Sequence, residues 1–158
     1  ISKARYRDAA MSGVGAYRSG GRWNSPGHHA VYASGHLSLA MLELLVHVDD
    51  AEAFLATPHV YLTLAFPDDA VAVIEAADLP PGWDSRPESR ASQVAGDEWL
   101  EGLQSPVLAV PSVVVPPELR YEPGYLNYVV NPRHPDTAAS VAVGAVRDLA
   151  WDPRLARS

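Results

Sequence analysis

No cysteine occurs among the 158 residues. That single absence removes disulfides, thiolate catalysis and cysteine-ligated zinc together. Lysine is almost missing as well: Lys3 stands against eleven arginines. With 19 acidic and 12 basic residues the formal net charge is −7. Such a balance suits neither nucleic acid nor an anionic membrane surface. No apolar run nears the ~20 residues of a membrane-spanning helix. The opening ISKARYRDAA has no apolar signal-peptide core. These absences lead us to expect a cytoplasmic protein with no membrane and no direct nucleic-acid partner. Arginine in place of lysine offers planar, two-pronged donors for phosphate and carboxylate, although genome composition accounts for the bias equally well.

What is present fits one globular domain over residues 1–158, with 47% hydrophobic and 20% charged residues. Residues 1–29 are rich in Gly, Ser and Arg and read as irregular. Ala30–Ala33 reads as a short strand. A helix follows to about Val48, capped by Ser34 or Ser38. Val60–Phe66 alternates like one strand, and Ala70–Ile74 is another candidate. LPPGWDSRP is a loop by its proline and glycine punctuation. Glu88–Leu103 has helical spacing through Ala91, Val94, Ala95, Trp99 and Leu103. Val107–Val110 and Val113–Val115 read as buried strand broken at Pro111. YLNYVVNPRHP reads as a strand ending in a turn. Ala138–Ala150 is ambiguous between helix and strand. Short strands without regular alternation with helices favour an α+β domain.

Leu37–Val48 holds nine apolar residues in twelve, the exceptions being Ser38, Glu43 and His47. A helix apolar nearly all round is expected to be buried. Glu43 and His47 are four apart and share a face. A carboxylate there must be paired, neutral or aimed at a polar cleft; the alternative is that this face is the helix's wet edge. Several motifs are incomplete. Gly13–Arg18 lacks the third glycine of a dinucleotide fingerprint. Glu43 and His47 do not make H-E-x-x-H, and His28, His29, His36, His59 and His134 lack metal-ligand spacing. No metal site is expected. There is no G-x-S-x-G elbow.

GGRWNSPGHHAVY, Gly20–Tyr32, carries a different signal. Two glycines permit close backbone approach to a ligand. Arg22 offers paired donors to phosphate or carboxylate. Trp23 and Tyr32 offer flat apolar faces, and Asn24 adds a donor and an acceptor. These are parts of a nucleotide site. They are equally parts of a turn, with Trp23 as a core plug and Arg22 tying down loop carbonyls.

The stretch SGVGAYRSGGRWNSPGHHAVYASGHLSLAMLELLVH, Ser12–His47, resembles the opening block of the RES-domain family, named for an Arg, a Glu and a Ser. LAVPSVVVPPE (Leu108–Glu118) and LNYVVNPRHPD (Leu126–Asp136) resemble its second block, in the right order. Ala51–Gln104 is the less diagnostic middle. The resemblance implies a fold similar to diphtheria-toxin-like ADP-ribosyltransferases, with short mixed strands and a few helices around an NAD cleft. It implies a toxin that consumes NAD+ as substrate, breaking the nicotinamide–ribose bond. Transfer of ADP-ribose to a protein is expected, with phosphoribosyl pyrophosphate synthetase as one target. Water or phosphate as acceptor is the alternative, and a non-catalytic binding module is a further one. The implied partner is an antitoxin with an Xre-like helix-turn-helix, covering the active site.

Carried over by motif, the family arginine is Arg22, the tyrosine Tyr32, the glutamate Glu43 and the serine Ser112, with Asn131 at a further polar position. On this resemblance Glu43, Arg22, Tyr32 and His47 are the expected catalytic residues. Arg22, Trp23, Asn24, Tyr32, Ser112 and Asn131 are expected to contact NAD+. Arg22 is assigned to the pyrophosphate, Tyr32 to stacking on nicotinamide or walling the pocket, Ser112 to the ribose or the nicotinamide amide, and His47 to orienting the acceptor or Glu43, with a structural role as its alternative. Trp23 is expected mainly to hold the loop. A further family arginine in an N-terminal strand is matched only imperfectly by Arg5 or Arg7.

Overall fold

Val107–Val110, the strongest apolar run after Leu37–Val48, is completely buried, and the chain organises around it. A computed structural model describes residues 1–86, 90–122 and 124–156. In chain order its elements are β1 (Ser2–Lys3), α1 (Val14–Ser19), β2 (Val31–Ser34), α2 (Leu37–Leu45), α3 (Ala51–Ala56), β3 (His59–Tyr61), β4 (Leu64–Ala65) and β5 (Val71–Val73). There follow α4 (Arg90–Gly102), β6 (Val107–Pro111), β7 (Leu126–Val130), α5 (Thr137–Ser140), β8 (Ala142–Val143) and β9 (Arg147–Leu149). This is the α+β class expected from the sequence.

The main sheet has four strands in the order β2-β7-β6-β5. β2 and β6 both run antiparallel to β7, with Ser34 opposite Asn127 and Val110 also opposite Asn127. β5 runs parallel to β6. A parallel neighbour needs a crossover, and α4 supplies it. Side chains alternate across the sheet. Leu108, Val110 and Val129 face a core with Trp23, Trp83, Trp99 and Leu100. Val107 and Val130 face the other way, against Val141, Met11, Phe66 and Tyr128. Two smaller sheets, β1-β3-β9 and β4-β8, complete the body.

Several expectations change. The N-terminal 29 residues are not uniformly irregular: they contain α1, which starts after Gly13 in the left-handed region at φ 67°. Val60–Phe66 is two strands, β3 and β4, in different sheets. Pro111 does not break β6 but ends it, opposite Leu126. There its missing N–H is tolerated. Val113–Val115 is not strand. The Ser112 hydroxyl accepts from the Val114 N–H at 3.2 Å and turns the chain out of the sheet. Ala138–Ala150 resolves into the end of α5, then β8 and β9. α4 begins at Arg90; Glu88 and Ser89, expected in it, lie outside the described residues.

The largest change concerns α2. Only Leu39 is buried on it, while Leu37 and Leu42 are 40% and 43% exposed. The helix packs on β2, one of the two edge strands of the main sheet, with a cleft along one side. An element at that place cannot be covered all round. Neither serine caps it; His36 occupies the cap position without a side-chain bond.

Candidate active site

A cleft of about 860 Å3 opens between α2, the Gly20–Trp23 loop, the first turn of α4 and the ends of β6 and β7. Its one carboxylate among the described lining residues is Glu43, in the last turn of α2. Glu43 Oε1 accepts from the Ser112 hydroxyl at 2.6 Å and from the Asn127 amide. The Asn127 carbonyl accepts in turn from the Ser34 hydroxyl at 2.7 Å. Strand register makes this possible, since Ser34 and Asn127 are opposite partners on β2 and β7. Ser112 is 1% exposed and sits just past β6. Two donors on one oxygen fix the carboxylate while its other oxygen keeps its acceptor capacity. Of the alternatives open to this carboxylate, the helix aims it into a cleft, where it is hydrogen-bonded. His47, on the turn after α2, lines the same cleft.

Across from Glu43 lies the glycine loop. The Tyr32 hydroxyl accepts from the Trp23 N–H at 3.0 Å and donates to Asn24 Oδ1 at 2.8 Å. Asn24 is fully buried, and its amide donates to the carbonyls of Ala16, Ser25 and His28. It is an internal staple and not, as expected, a cleft contact. Trp23 is 2% exposed and stacks on Trp83 with centroids 5.9 Å apart, so its main surroundings are core. Arg22 lines the cleft, and its Nη1 donates to the carbonyls of Trp83 (2.6 Å) and Ser85 (3.2 Å). Asn131 stands apart from the cleft: it donates to the Leu100 carbonyl and accepts from the Arg133 N–H, each at 2.9 Å. It closes the Asn-Pro turn after β7. Arg5 and Arg7 belong to a 3-10 turn after β1 and do not line the cleft either.

The loop is strapped to α4. Asp97 accepts from the Ser25 N–H (2.9 Å) and hydroxyl (2.5 Å), and lies 3.2 Å from His28 Nδ1. His28 Nε2 meets Glu101 at 2.8 Å. The hydrogen bond to Glu101 and the charge of Asp97 together hold the His28 pKa above its ordinary value, against partial burial. Gln93 donates to the Gly21 carbonyl at 3.0 Å. At Gly96 the backbone of Trp23 lies so close that no Cβ fits. Sequence reasoning missed Asn127, Ser34, Arg86 and Gln93 as cleft residues. The available signal for Asn127 was a polar residue inside an apolar strand. Among the described residues no cluster of His, Asp or Glu could hold a metal ion.

Fold and cleft together define a small α+β domain built to hold one carboxylate against a glycine loop bearing arginine. The chain belongs to the RES-domain family, whose model, described as "RES domain", matches residues 1–152. It is 37% identical over 155 residues to the "Prs ADP-ribosylating toxin" of Sphingobium sp. (strain YBL2), covering 96% of this chain and 90% of that protein. It is 35% identical to a "Toxin Res" of Yersinia enterocolitica, covering 98% of this chain and 96% of the relative. Its fold is similar to that in the crystal structure of the M. tuberculosis MbcT–MbcA toxin–antitoxin complex. There the TM-score is 0.66 at 20% identity, over 87% of this chain and 75% of that one.

Proposed function

We propose that this protein is the toxin of a toxin–antitoxin pair and that it consumes NAD+. On this reading it cleaves the nicotinamide–ribose bond and transfers ADP-ribose to a protein. The observation that carries the reading is Glu43, held in the cleft by Ser112 and Asn127 opposite the Arg22 loop. The relative named for ADP-ribosylation of Prs supports transfer to a protein, and phosphoribosyl pyrophosphate synthetase is the proposed target. An antitoxin with an Xre-like helix-turn-helix is the proposed partner, covering the cleft. The proposed compartment is the cytoplasm; among the described residues no helix is long and apolar enough to cross a membrane.

The chemistry suits these side chains. Nicotinamide leaves as a neutral base, so no acid is needed to protonate it. The ribose left behind has oxocarbenium character, as in glycoside hydrolysis. A carboxylate fixed beforehand stabilises that developing charge without reorganising. Glu43 does this and accepts from a ribose hydroxyl. The Tyr32 ring walls the pocket, and Arg22 and its loop meet the anionic end. Ser112 and Asn127 act through Glu43 by orienting it. His47, one turn beyond, faces the acceptor side.

The test is product analysis after incubation with labelled NAD+, phosphate and a cell lysate. Label on a protein band is expected. Free ADP-ribose or its phosphate alone would move the assignment to water or phosphate as acceptor. Glu43→Gln is expected to lower nicotinamide release by about 10²–10³-fold. Undiminished release by this variant removes Glu43 from the chemistry. No NAD+ turnover by the antitoxin-free wild type would return the protein to a binding role.

A further inference from the structure

Among the described residues two arginines line the cleft, Arg22 and Arg86, and the reading above gives a ligand contact only to the first. Arg22 sends Nη1 to the carbonyls of Trp83 and Ser85. Those carbonyls lie within three residues before Arg86, so Arg22 holds the backbone that presents Arg86. The same segment is braced from behind. Arg120 pairs with Asp84 at 3.1 Å, and its guanidinium lies 5.0 Å from the centre of the Trp83 ring. Trp83 itself is buried against Trp23. From this platform Arg86, exposed, reaches the Val113 carbonyl at 3.0 Å. Val113 follows Ser112, the residue that holds Glu43. Arg86 therefore bridges the cleft between the platform and the end of β6.

A solvent-exposed bond from a guanidinium to one neutral carbonyl contributes little net stability. A phosphate oxygen in the same position accepts a charge-assisted bond roughly twice as strong. A diphosphate carries two negative charges into a cleft that already contains Glu43. Among the described lining residues, Arg22 and Arg86 are the two guanidinium groups able to offset them. We infer that Arg86 is a second anion contact of the cleft, taking the diphosphate of a dinucleotide together with Arg22. This rests on the NAD+ reading for the identity of the ligand. The anion site itself rests on the position of the two arginines.

The experiment uses the full chain and two ligands that the enzyme does not cleave at the glycosidic bond, ADP-ribose and inorganic pyrophosphate. Affinities are measured by calorimetry over a range of salt for the wild type, Arg86→Gln and Arg86→Lys. Arg86→Gln is expected to weaken both ligands by about 10–100-fold, at an unchanged melting temperature. Its affinity is also expected to fall less steeply with salt, because one charge contact is gone. Arg86→Lys, with charge but no planar fork, recovers part of the loss. Unchanged affinity in Arg86→Gln, or a salt slope equal to that of the wild type, overturns the proposal. Should the wild type bind pyrophosphate but neither ADP-ribose nor NAD+, the anion site stands and the NAD+ reading falls. Should it bind all three with Arg86→Gln unaffected, the reading stands and the Arg86 contact falls.

Discussion

Tyr32 lines the cleft with its ring while its hydroxyl serves the loop, accepting from the Trp23 N–H and donating to Asn24. Tyr32→Phe therefore leaves a backbone donor and a buried amide oxygen without these partners. At about 1 kcal/mol for each bond, the melting temperature is expected to fall by about 2–8 °C. Scanning calorimetry checks this; an unchanged midpoint would mean that water takes over both groups. Legibility varied residue by residue for physical reasons. Glu43 could be singled out because one carboxylate in an apolar helix has few places to go. Asn24 and Asn131 carry the same amide as Asn127, yet only Asn127 reaches the cleft. An asparagine in a turn binds nearby backbone as readily as a ligand, and the choice depends on strand register. Arg86 sits in a proline-punctuated loop, where nothing in the sequence tells an arginine facing a cleft from one facing solvent.

Helix α4 supports the cleft without supplying its carboxylate. Asp97, Glu101 and Gln93 all reach from it to the glycine loop. Gly96 lets the loop backbone lie directly on the helix. Propensity alone makes Gly96→Ala stabilising by about 1 kcal/mol. Packing reverses the sign, because the new methyl meets the Trp23 carbonyl. We expect a net loss of about 1–3 kcal/mol, read from urea unfolding; a gain in stability would show that the loop can lift away. The existence and type of α4 and β6 were readable from periodicity, since both bury one or two clear faces. The exposure of α2 was not readable. Composition reports how apolar a helix is, but whether anything covers it depends on which strand it packs against. The division of Val60–Phe66 into β3 and β4 was hidden for a similar reason: alternation marks extended chain but not the sheet it joins.

Two histidines give the protein opposing responses to pH. His28 has a raised pKa, so its strap to Glu101 and Asp97 contributes fully below the ordinary value of about 6.5. That contribution is lost as the pH rises through the higher folded value. Burial, with Lys3 nearby, lowers the pKa of His59, whose Nδ1 accepts from Trp151 at 3.2 Å. Its contribution is present above about 6.5 and is lost as the pH falls through the lower folded value. His28→Gln is thus expected to cost about 1–4 °C in melting temperature near pH 6 and less near pH 8.5. An equal cost at both values would assign the strap to packing instead of charge. His59→Gln should show the reverse trend with pH. The pairing of β2 with β7 has a consequence for synthesis. Ser34 and Asn127, joined by one hydrogen bond, are 93 residues apart in the chain, and Ser112 also follows Glu43 by most of that interval. At ordinary translation speeds roughly 5–20 s separate the emergence of the two partners. During that interval the nascent chain carries Glu43 without the residues that hold it.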